Sequence, residues 1–165
     1  MAQEGPPFDF SALDKVLDAI MSTPKYEVLV GYPSTSGEHS TKGGKGSIPL
    51  ATLAAIHDLG APNAGIPARP FVRNSVINRR AQYTKLLADE LRTAYAGKQG
   101  VPEAYEKLAL VAGNGVQMEI TSPQPPFVPL KPATILRKGS SKPLIDSGQL
   151  RQAATGVVRH AGETK

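Results

Sequence analysis

Leu13, Val16, Leu17, Ile20 and Met21 recur at i, i+3, i+4, i+7 and i+8, which puts them on one face of a helix. Ser11 with Asp14 three residues later reads as its N-terminal cap, and Pro24 stops it. The period then drops to two: Tyr26, Val28, Val30 and Tyr32 alternate with Glu27 and Gly31, predicting a strand. A second helix is predicted over 49–59, with Pro at its first turn, Leu50, Leu53, Ala54 and Ile56 on its apolar face, and Gly60 beyond its end. Residues 71–96 lack Pro and Gly, and Val72, Val76, Tyr83, Leu87 and Leu91 recur at near-helical spacing. This predicts the longest helix, about 40 Å at the usual rise, closed by Gly97 and Gly100. Pro102 opens another, with Glu103 in its first turn as the helix dipole favours and a stripe of Tyr105, Leu108, Ala112, Val116 and Ile120. Gly113 and Gly115 suggest that it packs closely on the long helix as an antiparallel hairpin.

Two stretches break the periodicity. Residues 33–47 are polar and rich in Gly and Ser, with no apolar anchor, and are expected to form a mobile arm. The Gly44-Lys45 pair lacks the Gly and Ser/Thr positions of a phosphate loop, which argues against nucleotide binding in this segment. Residues 121–142 carry Pro at 123, 125, 126, 129 and 132 and predict an extended crossover, anchored by Phe127, Val128 and Leu130. Pro132 can start a short helical turn through Ile135 and Leu136, ended by Gly139. A last strand near 155–159 pairs most simply with 26–32. The expected fold is one α+β domain over 1–165: a small, mainly antiparallel sheet packed against a long two-helix hairpin, with long extended loops. A third strand is expected from the arm or from a neighbouring chain.

Composition narrows the chemistry. The 165 residues include no Cys and no Trp, so disulfides and thiolate sites are excluded and the core is mainly aliphatic. No secretory signal or membrane span is legible, and the expected product is soluble, made in the cytoplasm and without a membrane partner. The net charge of +5 is unevenly placed. Residues 1–122 hold equal numbers of basic and acidic side chains. Residues 123–165 set Lys131, Arg137, Lys138, Lys142, Arg151, Arg159 and Lys165 against only Asp146 and Glu163. Such a segment suits an acidic protein partner or nucleic acid. His57 and Asp58 are adjacent on a helix and point about 100° apart, so a structural His57 is favoured over a catalytic one. The sequence shows no metal-ligand cluster, no Ser–His–acid set and no cofactor motif, and the chain reads as non-enzymatic.

The remaining candidates are architectural. Phe71 is expected to enter the core from a three-proline corner, with Arg69 bonding loop carbonyls or an acidic group. In residues 143–151, Pro143 directs the chain, Leu144 and Ile145 anchor it, and Asp146 and Ser147 can accept backbone N–H bonds at the start of a short helical turn. Gly148 permits backbone angles that other residues avoid.

The segment "KPATILRKGSSKPLIDSGQLRQA" (131–153) resembles the C-terminal motif of a family of tailed-bacteriophage virion-morphogenesis proteins: small neck, head–tail connector or tail-completion proteins. "VLVGYP" (28–33), "LAAIHDLG" (53–60) and "IPARPFVRNSV" (66–76) extend the likeness in register across 26–160. Asp58 and Ser147 stand where the family more often has Glu and Thr. The resemblance implies a structural virion protein forming a homo-oligomeric ring, of six or twelve copies, at the neck. Its partners would be other neck, connector or tail proteins, with passing phage DNA as a further contact. From the residues alone, the alternative is a nucleic-acid-binding protein using the basic C-terminal segment. Interface candidates are Arg69, Phe71, Lys131, Lys138, Asp146, Gly148 and Arg151.

Overall fold

The computed structural model describes residues 11–40 and 46–163 and shows an α+β fold. Its elements in order are helix α1 (Ser11–Ser22), strands β1 (Tyr26–Gly31), β2 (Glu38–Ser40) and β3 (Ser47–Pro49), and helices α2 (Leu50–Leu59), α3 (Phe71–Asn78), α4 (Arg80–Tyr95), α5 (Val101–Thr121), α6 (Pro132–Lys138) and α7 (Gln149–Gln152). Strand β4 (Thr155–His160) ends the series.

Strands β1 and β4 pair antiparallel with Tyr26 opposite His160 and Gly31 opposite Thr155. Alternation then gives the sheet two unlike faces. Tyr26, Val28 and Val158 pack with Ala94, Val101 and Tyr105, while Val30 joins the larger core of Leu50, Ala54, Phe71, Val116, Ile120, Leu150 and Ala154. The opposite face carries Leu29 across from Val157, each 40% exposed, and the ion pair of Glu27 with Arg159. Among the described residues no third strand from the arm joins this sheet. The arm instead folds back on itself: β2 and β3 make a separate antiparallel ladder with Glu38 opposite Pro49, and Ser47 bonds Glu38. That local pairing satisfies the backbone of an otherwise anchorless segment. Residues 41–45 of the arm lie outside those described.

Helix α5 is the hub. It buries ten side chains or glycine positions, including Val101, Ala104, Ala109, Val116 and Ile120, and packs on β1, β4, α3 and α4. The predicted continuous helix over 71–96 is broken. Arg79 adopts φ −109° and ψ 9° between α3 and α4. Opposite the break lies Gly115, where an added Cβ would collide with the Tyr83 hydroxyl and sit 3.2 Å from the Arg79 and Ser75 side chains. The break brings the Arg79 guanidinium 2.8 Å from the Glu119 carboxylate on α5. Thus α5, at 21 residues, is the longest helix. Gly113 serves a different neighbour from the one expected. A Cβ there would meet the backbone of Gly156 on β4 at 2.8 Å, and one on Gly156 would strike the Ala109 carbonyl. The two glycines let helix and strand backbones touch.

No helix among the described residues is long and apolar enough to cross a membrane. Helix α1 has no buried residue, and Leu13, Leu17, Ile20 and Met21 are between 44% and 70% exposed.

Candidate functional site

The four sequence motifs are tied in two pairs by hydrogen bonds to backbone groups. Helix α3 begins after Pro70 with unsatisfied N–H groups. Asp58, at the end of α2, supplies one acceptor: its Oδ1 receives the Val72 N–H at 2.9 Å. The Arg69 N–H donates to the His57 carbonyl at 2.8 Å. Gly60 lets these segments close, because a Cβ there would lie 2.7 Å from the Ala68 nitrogen, and its φ of +80° is one that glycine favours. The third tie comes from β1: the Tyr32 hydroxyl, just past the strand, donates to the Leu150 carbonyl at 2.7 Å. Burial, and then the charge of Asp58, hold the Tyr32 phenol well above its ordinary pKa, so it stays a donor.

This docking leaves a cavity of about 220 Å³ between α2, the proline corner, α6 and the 144–150 turn. Its walls are Leu53, Leu130, Leu144 and Leu150, and its polar groups include His57, Arg69, Arg137, Lys138 and Asp146. Arg69 is 4% exposed. Its Nη2 reaches the Val128 carbonyl at 3.4 Å, a long contact, and its Nε is buried without a partner among the described residues. His57 Nδ1 is likewise buried and unbonded. Burial, then Arg69 and Lys138, push the His57 imidazole below its ordinary pKa, so it is neutral near pH 7. Burial also lowers Arg69 and is the largest influence lowering Lys138, which Asp146 partly offsets.

The 144–150 turn owes its shape to two left-handed residues. Gly148 has φ +83° and precedes α7, while Leu144, with φ +62°, is the one non-glycine in that region among the described residues. For a leucine this conformation costs about 1–2 kcal/mol, and it places the side chain on the cavity wall. Ser147 Oγ accepts the Gln149 N–H at 3.4 Å. Among the described residues Asp146 does not make the expected backbone bond; it faces the cavity, where its charge acts on Lys138. From the arm, His39 Nδ1 meets Gln149 Oε1 at 2.8 Å and completes the rim.

Of the residues singled out from sequence, Arg69, Lys138, Asp146 and Gly148 therefore share one cavity. Phe71 lies wholly in the core, edge-on to Tyr32 with ring centroids 6.1 Å apart. Lys131 borders a shallow apolar dent with Leu59, Pro67 and Val128, and Val128 is exposed rather than an anchor. Arg151 lines a separate hollow with Arg79, Asn114 and Gln117. Sequence reasoning missed Glu119. It is fully buried and accepts hydrogen bonds from Arg79 Nη1 at 2.8 Å, the Gln124 N–H at 2.8 Å and Asn78 Nδ2 at 3.4 Å. The available signal was an acid inside the apolar run of α5, between Val116 and Ile120.

The basic C-terminal excess does not form one stripe. Arg137 and Lys138 border the cavity, Lys138 Nζ also donating to the Lys142 carbonyl at 2.8 Å, while Arg159 pairs with Glu27 on the outer sheet face. Lys165 lies outside the described residues. Among the described residues, no group of three or more His, Asp or Glu side chains could hold a metal ion. Comparison of the chain with protein-family models, with curated proteins and with solved structures finds no match.

Proposed function

We propose that this chain is a structural virion protein of a tailed bacteriophage, assembling as a closed homo-oligomeric ring at the neck, where it joins head and tail. The resemblance of four motifs in register supports the assignment to phage morphogenesis. One observation carries the assembly reading: the chain has two separate apolar surfaces uncovered among the described residues. One is the α1 stripe of Leu13, Leu17, Ile20 and Met21; the other is the outer sheet face around Leu29 and Val157. A ring closed head to tail needs two different surfaces on each copy, one to give and one to receive. In this reading α3 and α4, which pack on α5, form the ring wall with it. Residues 33–47 and 121–142 reach adjacent copies or the neighbouring neck, connector and tail proteins. Six or twelve copies surround a lumen wide enough for DNA. The dispersal of the basic side chains favours protein partners over a nucleic-acid-binding role, which would be served by one continuous basic face.

The test is the mass of the purified chain across a concentration series by native mass spectrometry, beside the variants Leu17→Glu and Leu29→Glu. The expected result is a closed oligomer of defined size, or one that forms on adding a neck or tail protein. Either charge should abolish it while leaving the helical circular dichroism intact. A wild-type chain that stays monomeric at all concentrations, joins no virion protein and binds DNA with a steep salt dependence would overturn the proposal.

A further inference from the structure

We infer that the cavity beneath the 144–150 turn is a binding site for a single carboxylate carried on an apolar body, presented by another polypeptide as an acidic side chain or a chain end. The inference goes beyond the ring reading and stands on the cavity's own lining. Arg69 is only 4% exposed, and its Nε has no partner among the described residues. A buried guanidinium without an anion is costly, and among the described residues no carboxylate bonds it. Asp146, the one acid on the lining, acts on Lys138 instead. Arg69, Arg137 and Lys138 thus face one acid across about 220 Å³, room for one side chain or terminal residue. His57 Nδ1, also buried and unbonded, offers a further donor once protonated.

The walls decide between carboxylate and phosphate. Leu53, Leu130, Leu144 and Leu150 surround the cations. A hydrocarbon attached to the anion would cover them, whereas inorganic phosphate would leave them against water. Asp146 at the lining also disfavours a multiply charged anion. The planar guanidinium offers the paired donors that match a carboxylate's two oxygens.

The experiment uses the full chain and two probes at constant ionic strength: N-acetyl-leucine, standing for a chain end, and the α-amide of N-acetyl-glutamate, standing for an acidic side chain. Binding is followed by NMR of the His57 ring during titration. Saturable binding of at least one probe is expected, with the His57 pKa rising as the bound anion favours imidazolium. Which probe binds more tightly distinguishes a chain end from a side chain. Lys138→Gln should weaken binding about tenfold, as expected for losing a charged hydrogen bond. Lys98→Gln, outside the cavity, should leave it unchanged. Arg69→Met should abolish binding, and Lys138→Gln keeps the test valid if Arg69→Met fails to fold. The inference is overturned if neither probe saturates, if Lys138→Gln binds like wild type, or if inorganic phosphate binds more tightly than both carboxylates.

Discussion

Arg79 and Arg69 are both drawn into the fold, one against Glu119 and the other on the wall of the cavity beneath the 144–150 turn. Arg79 reaches a fully buried carboxylate whose remaining oxygen capacity is taken by Asn78 and the Gln124 backbone. That site is closed, and its members tie the α3–α4 break to the start of the crossover. Arg69 is more deeply buried than the Arg79 side chain, which is 18% exposed, yet among the described residues its guanidinium has only a long contact to a loop carbonyl. Residue type and burial alone do not separate the two. What separates them is whether the chain itself supplies the counter-charge. Where it does, the arginine serves the fold; where it does not, the site is built to receive an anion from outside.

The contrast can be broken or sharpened by substitution. Glu119→Ala strands Arg79 and two further donors, and should lower unfolding free energy by about 3 kcal/mol, read from urea denaturation. A loss below about 1 kcal/mol would mean the network is a solvated ion pair. Gly156→Ala tests the tight side independently of charge. Its Cβ would strike the Ala109 carbonyl, so a loss of about 2 kcal/mol from overpacking is expected. On the open side, Gly148→Ala has room, its nearest atom being Gln152 Nε2 at 3.8 Å. It should cost only the left-handed backbone term, about 1 kcal/mol, and loosen the cavity rim.

The smallest effect is a pH slope. His57 has a folded-state pKa below its ordinary value, so the unfolded chain takes up the proton first. Its contribution is fully present above about pH 6.5 and is lost as pH falls through the lowered folded value. His57→Gln should remove that part of the slope, measured by thermal unfolding between neutral and mildly acidic pH. An unchanged slope would place the titration elsewhere.

Much of the fold was legible because its determinants are local. Alternation at Tyr26, Val28 and Val30 marked β1, and the Thr155 and Val157 neighbourhood marked its partner. Pro132 and Gly139 bracketed α6, and Gly60 ended α2. The break at Arg79 was not legible, since neither Gly nor Pro marks it. It belongs with Gly115 and Glu119, some forty residues away, whose pull appears only once α5 packs. The spacing of Gly113 predicts a helix contact because it cannot say which neighbour approaches. The β2–β3 ladder hid in polar residues with no alternation. The cavity was legible only in pieces: Arg69, Lys138, Asp146 and Gly148 drew notice singly, but their convergence depends on Asp58, Gly60 and Tyr32 docking distant segments.

The most direct test is urea unfolding of Arg79→Met and Arg69→Met side by side. Arg79→Met should lose about 3–5 kcal/mol, because Glu119 is left buried without its counter-charge. Arg69→Met should stay within about 1 kcal/mol of wild type or gain stability, since an uncompensated charge is replaced by an apolar chain of similar reach. Equal, large losses in both variants would contradict the account, showing that Arg69 is as fully partnered within the fold as Arg79.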